Sequence, residues 1–226
     1  MTMSFLNRVS EVVVVSMATG TVVAGTILLG LGAGFADPSA PTATVAVARP
    51  LKGVADFSSI ADTGARSRAL FTEAAKVITD PRCMNCHPAN RTPTQGNDMH
   101  THVPFIDAGA SGIGERGIMC TSCHRSENTP LAGSRLRSIP GATPWLLAPA
   151  SMSWQGLTLG GICRQLKDPA RNGNRTMAKI LEHLATDHLV GWAWHPGEGR
   201  RPAPGTQQEF GALVAAWIDT GAECPE

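Results

Sequence analysis

Tyrosine is absent from this chain of 226 residues, and the other aromatics amount to 6 Phe and 5 Trp. Against 24 Gly and 16 Pro, that is little apolar bulk for ordering long loops. It predicts a polypeptide that folds poorly unless a bound group completes its core. Charge of either sign is also scarce. Charged residues make up 16% of the chain and leave a net charge of +1. The only basic run is Arg200-Arg201, so the electrostatic footprint of a nucleic-acid partner is missing. No convincing alternation of apolar and polar residues marks a half-buried strand, which argues against a β architecture.

What the chain does have is one short pattern written twice. Cys83-Met84-Asn85-Cys86-His87 and Cys120-Thr121-Ser122-Cys123-His124 both read Cys-x-x-Cys-His, the attachment signal for c-type haem. Two thiols at this spacing can reach the two vinyl groups of one porphyrin, and the adjacent imidazole can bind its iron. The expectation is two covalently attached haem c groups, one on Cys83, Cys86 and His87, the other on Cys120, Cys123 and His124. Paired Cys-x-x-Cys motifs also build zinc ribbons. Between Cys86 and Cys120, however, lie 33 residues, against roughly 15–20 in the usual zinc spacing.

The remaining cysteines and the N-terminus point to an exported, periplasmic chain. Residues 12–35 carry no charge over 24 positions. They read either as a signal peptide cleaved after Gly34-Phe35-Ala36 or as an uncleaved inner-membrane anchor, since about 20 apolar residues span a bilayer. Cys163 and Cys224 are left over, and an even remainder in an oxidising compartment predicts a disulfide, with two buried free thiols as the alternative. Residues 37–60 read as a linker, and residues 61–226 as the folded domain.

Within that domain the periodicity is helical. Leu70, Phe71, Ala74, Ala75 and Ile78 predict an amphipathic helix from Gly64 to Ile78, stopped by Pro81. Further helices are expected over Leu157–Lys167, after Asn174 with Met177, Ile180, Leu181 and Leu184 on one face, and after the capping box Thr206/Glu209 up to Gly221. Residues 91–117 are polar and Gly-rich, suited to wrapping a bound group. The fold class is mainly α: a cytochrome c-like dihaem domain with long loops, after an N-terminal hydrophobic helix.

An electron carrier needs both axial positions of each iron filled, whereas an open one means an enzyme. The spare histidines are His100, His102, His183, His188 and His195. The spare methionines include Met99, Met119, Met152 and Met177. His102, in the loop between the motifs, is the expected distal ligand of one iron. His183 and Met152 compete for the other. Trp145, Trp154, Trp192 and Trp194 are expected to pack against porphyrin.

Three resemblances bear on this. The two-motif layout with an intervening histidine loop resembles, from Cys83 to His124, the small dihaem subunit of periplasmic nitrate reductase, a bis-histidine electron carrier. This chain departs from that family in having no histidine between Asp37 and Cys83, so one distal ligand must come from elsewhere. Met152, in a Pro-containing loop downstream of the haem motifs, resembles the ligand arrangement of class I cytochromes c. More broadly, from Cys83 to the C-terminus, the stretches Ile162-Cys163-Arg164-Gln165-Leu166-Lys167-Asp168-Pro169, Arg171-Asn172-Gly173-Asn174-Arg175, Trp192-Ala193-Trp194 and Pro202-Ala203-Pro204-Gly205, with His183, resemble small exported bacterial haem proteins labelled isoquinoline 1-oxidoreductase subunits. That resemblance favours His183 and implies electron acceptance from a molybdenum hydroxylase, although no residue here encodes a molybdopterin site. The expected function is relay of single electrons between redox protein partners at the periplasmic face, the partner being such a hydroxylase or a membrane electron-transfer complex. Two rivals stand beside it: a haem enzyme such as a peroxidase with one open iron, and a haem-bearing assembly subunit of a membrane complex.

Overall fold

The structure, a computed structural model, describes residues 50–115, 117–133 and 138–226. The expected signal or anchor and residues 37–49 of the expected linker lie outside the described residues. Among the described residues no helix is long and apolar enough to cross a membrane.

Ordered structure starts earlier than the sequence predicts. A 3₁₀ turn over Val54–Phe57 buries Phe57 in the core, and the Lys52 amide donates to Glu73 Oε1 at 2.9 Å. Residues 51–60 therefore belong to the domain. One aromatic anchor and one backbone tether hold a segment that has no helical period to reveal it.

The architecture is mainly α. Helix α1 (Thr63–Ile78) begins where Asp62 accepts from the Ala65 amide, and it buries Leu70, Phe71, Ala74, Ala75, Val77 and Ile78. Helix α2 (Pro81–Met84) follows after a two-residue corner, with Asp80 capping and Pro81 in its first turn. Pro81 thus ends one helix and starts the next, because its fixed φ suits a first turn and its missing N–H is not needed there. Helices α3 (Leu159–Lys167), α4 (Met177–Thr186), α5 (His188–Gly191) and α6 (Gln207–Asp219) complete the helical layer. Helix α6 packs on α1 and α4 through Phe210, Leu213, Val214 and Trp217. Each such burial contributes about 1.5–3 kcal/mol.

The disulfide is present. Cys163 on α3 bonds Cys224 beyond α6, with Cα atoms 5.6 Å apart across 61 residues of chain. Beside it, Lys167 Nζ donates to the Ala222 carbonyl at 2.7 Å. Gly160 packs against the Pro225 carbonyl so closely that a Cβ would collide with backbone, so only glycine lets the tail close over α3.

Residues 88–150 form a second layer built from loops. Among the described residues its regular structure includes a 3₁₀ turn over Cys120–Ser122 and antiparallel ladders of two residues per strand: Thr94–Gln95 with His100–Thr101, Gly114–Glu115 with Ile118–Met119, and Thr129–Pro130 with Ser138–Ile139. Such short ladders leave no alternating pattern to read. Arg91 ties the layer together, donating from Nε to the Gly109 carbonyl and from Nη1 to the Ala148 carbonyl, each at 2.7 Å.

Candidate functional site

Both Cys-x-x-Cys-His motifs sit on a single helical turn. In the first, carried by α2, the Cys86 and His87 amides donate back to the Cys83 carbonyl at 3.0 and 3.2 Å. In the second, a 3₁₀ turn over Cys120–Ser122, the Cys123 and His124 amides donate to the Cys120 carbonyl at 3.2 and 2.9 Å. One turn brings residues three and four apart to the same face, so both thiols and the imidazole of each motif face one side. None of these four cysteines is in a disulfide.

Each motif opens on its own cavity. The first-motif cavity, of about 230 Å³, is lined by Cys83, Cys86, His87, Met152, Trp154 and His183 among others. The second-motif cavity, of about 190 Å³, is lined by Cys120, Cys123, His124, His102, Trp145 and Arg200 among others. A void for one water takes about 10–15 Å³, so each cavity suits an organic group rather than a packing defect. Arg82, Cys86 and Leu146 line both and form a shared wall.

The motif histidines are oriented in the same way. His87 Nδ1 donates to the Met152 carbonyl at 2.6 Å, and His124 Nδ1 donates to the Pro140 carbonyl at 2.7 Å. A carbonyl only accepts, so the proton is on Nδ1 and the Nε2 lone pair is available to a metal. Burial pushes both imidazoles down to about 4, which keeps them neutral, as ligation requires. A tryptophan stacks on each ring: Trp154 on His87 with centroids 3.4 Å apart, and Trp145 on His124 at 4.4 Å. These tryptophans face the imidazoles themselves. Trp192 meets Trp145 edge-on and donates to Asn128, while Trp194 donates to the Pro204 carbonyl and packs near Phe210.

The structure brings His102 to the second motif and His183 to the first. The His102 and His124 ring centroids are 6.0 Å apart. Two metal–nitrogen bonds of about 2 Å plus the half-widths of two rings come to a similar span. His102 Nδ1 donates to the Pro104 carbonyl at 2.8 Å. His183, on α4, has its Nδ1 3.4 Å from Asp187 Oδ2, and desolvation holds its imidazole below the usual range. Among the described residues, the Nε2 atoms of all four histidines have no hydrogen-bond partner. His100 differs: it spends Nδ1 on Asp98 and Nε2 on Gln95. His188 and His195 line neither cavity. Met152 lines the first, but its carbonyl is bonded to His87, which puts its backbone on the His87 side of whatever lies there.

Burial pushes the Cys83 thiol far up and the Cys86 thiol to about 11. In donor chemistry the cavities fit haem, since the two thiols and the histidine of a motif line each together with a second histidine. Sequence reasoning missed the Met152 and Pro140 carbonyls and Asp187, since backbone acceptors carry no residue signature. No family model matches the chain, and no curated protein or solved structure matches it.

Proposed function

We propose that the chain is an exported dihaem c-type cytochrome that relays single electrons between redox proteins. One observation carries the reading: each Cys-x-x-Cys-His motif shares a cavity with a second histidine whose Nδ1 is engaged and whose Nε2 is not, His183 with His87 and His102 with His124. Bound haem would supply an iron that takes up and gives back one electron. Cys83, Cys86, Cys120 and Cys123 would attach the two groups as thioethers. His87 and His124 would be proximal ligands, kept in one tautomer and one orientation by their carbonyl acceptors and stacked tryptophans. His183 and His102 would close the distal positions, which excludes an external substrate. Met152 is set aside as a ligand because its carbonyl holds the proximal ring.

The shared wall of Arg82, Cys86 and Leu146 supports electron passage from one group to the other, since only a layer of side chains separates the cavities. The donor and acceptor are redox proteins on the same side of the membrane, a molybdenum hydroxylase or a membrane electron-transfer complex. The test is intact mass after acid extraction, with paramagnetic resonance of the oxidised protein. Two haem increments and two low-spin bis-histidine signals are expected. A zinc-loaded chain without covalent haem refutes the reading, and carbon monoxide binding by the reduced wild type favours the enzyme rival.

A further inference from the structure

Among the described residues, the wall shared by the cavities carries a buried guanidinium that meets mostly neutral acceptors. Arg82 is 3% exposed and reaches both cavities. Its Nη1 donates to the Arg201 carbonyl at 3.3 Å and its Nη2 to the Gly96 carbonyl at 2.7 Å, while its buried Nε has no partner. Arg201 approaches Asp80 Oδ2 at 3.6 Å through Nη2, and its own Nε is likewise buried without a partner. Arg200, on the second-motif cavity, donates to Ser138 Oγ and the Ser138 carbonyl, each at 2.7 Å, both uncharged.

Arg82 and Arg201 thus share Asp80, Arg200 meets neutral acceptors, and Arg82 feels Arg201 and acts on Arg200 as a like charge. Burial pushes Arg82 down, with Asp80 opposing and Arg201 adding to the fall; burial and then Arg82 push Arg200 down. Buried charge of this kind is costly unless an anion completes it. Neutral carbonyls do not. A carboxylate in each cavity would, and a planar guanidinium with an unused N–H is shaped for one.

We propose that Arg82 is a carboxylate-binding site common to both cavities, its unused N–H groups donating to haem propionates, so that one guanidinium positions both groups. This rests on the haem reading above. Arg82 would act as a positioning residue, holding carboxylates from the wall both cavities share, and its positive charge there would stabilise the reduced state of each group.

The test is Arg82→Gln and Arg82→Lys in the full-length, haem-loaded protein, with Arg164→Gln on the exposed face of α3 as control. Intact mass reports attachment, redox titration reports both potentials, and resonance Raman reports the propionate bending bands. Arg82→Gln is expected to keep both haems, lower both potentials and move the propionate bands toward weaker hydrogen bonding. Arg82→Lys should restore the potentials in part and leave the bands shifted, and the control should change nothing. A shift in one potential only overturns the shared site, and no shift in either overturns the role altogether. If Arg82→Gln fails to mature, the wild-type spectrum decides, because propionate bands at the position of water-exposed carboxylates overturn the proposal. Absence of covalent haem from the wild type instead brings down the underlying reading, so the two failures are distinguishable.

Discussion

The same five-residue pattern occupies two different environments. The first motif extends a helix pair, and its cavity is walled by Ile78, Leu166, Ile180, Leu184 and Phe210, all buried side chains of the helical core. The second lies in the loop layer, where Cys123 is exposed and the cavity is edged by Val103 and Ile118 at 62% and 47% exposure. Local geometry is nearly identical in the two: one helical turn, one carbonyl on Nδ1, one stacked tryptophan. What differs is the dielectric surroundings and the rigidity of the walls. The motif therefore sets the local geometry, and the scaffold sets how much water reaches it.

The largest expected contrast comes from removing the attachment thiols. Cys83→Ala with Cys86→Ala should leave the helical core around an unfilled cavity and abolish recovery of soluble, folded protein. Cys120→Ala with Cys123→Ala should leave a helical protein carrying one haem. Far-ultraviolet circular dichroism and intact mass check both, and equal loss in the two variants would erase the distinction between core site and loop site.

Next in size are changes to the core behind the first site. Trp217→Ala removes a fully buried side chain that lies 4.9 Å from Phe71, and should cost about 3–5 kcal/mol. Breaking Cys163–Cys224, which closes 61 residues, should cost about 4 kcal/mol in the chain-entropy account. Trp145→Ala at the half-buried second site should cost about 1 kcal/mol. Denaturant titrations compare the three, and a Trp145 effect as large as that of Trp217 would mean that the loop layer is as tightly packed as the helices.

Ligand changes sharpen the contrast without unfolding either site. His183→Ala and His102→Ala should each convert one iron to high spin, open it to carbon monoxide and raise its potential, while Met152→Ala should leave both low spin. Because low dielectric disfavours the charged ferric form, the first iron should have the higher potential, so His183→Ala should perturb the higher of two waves. Paramagnetic resonance with redox titration tests the order. Inverted waves would show that charge from the arginine wall outweighs burial.

The smallest effect belongs to Asp187→Asn. It weakens the acceptor on His183 Nδ1, now 3.4 Å away, and lowers ligand basicity while leaving both irons low spin. A modest rise in one potential with unchanged low-spin signals is expected. His102, bonded to a backbone carbonyl, has no equivalent side chain to alter.

Much of the helical layer was legible in the sequence because helices are local. The capping box at Thr206 and Glu209 is present, with the Glu209 amide donating to Thr206 Oγ1 at 3.1 Å. Helices α1, α3 and α4 lie within a few residues of the spans their apolar spacing predicts. Cysteine parity in an export context led to the Cys163–Cys224 bond. The short α5 was not anticipated, because Asp187 both ends α4 and caps the next turn by accepting from the Leu189 and Val190 amides. The 3₁₀ turn at Val54–Phe57 escaped for the reason given above.

By itself the sequence determined the helices and the one-turn geometry of the two Cys-x-x-Cys-His motifs, since both depend on residues three or four apart, where side-chain identity and spacing are enough. Tertiary structure alone decided which carbonyl orients each imidazole, which tryptophan covers it, and that Arg82 reaches both cavities while donating to the Arg201 carbonyl. Those contacts join residues such as His87 and Met152 or Arg82 and Arg201, separated by 65 and 119 positions. Their acceptors are backbone oxygens, which every residue carries. No pattern in a one-dimensional chain can single out an acceptor that is common to all positions, and only the packing of the helical layer against the loops selects it.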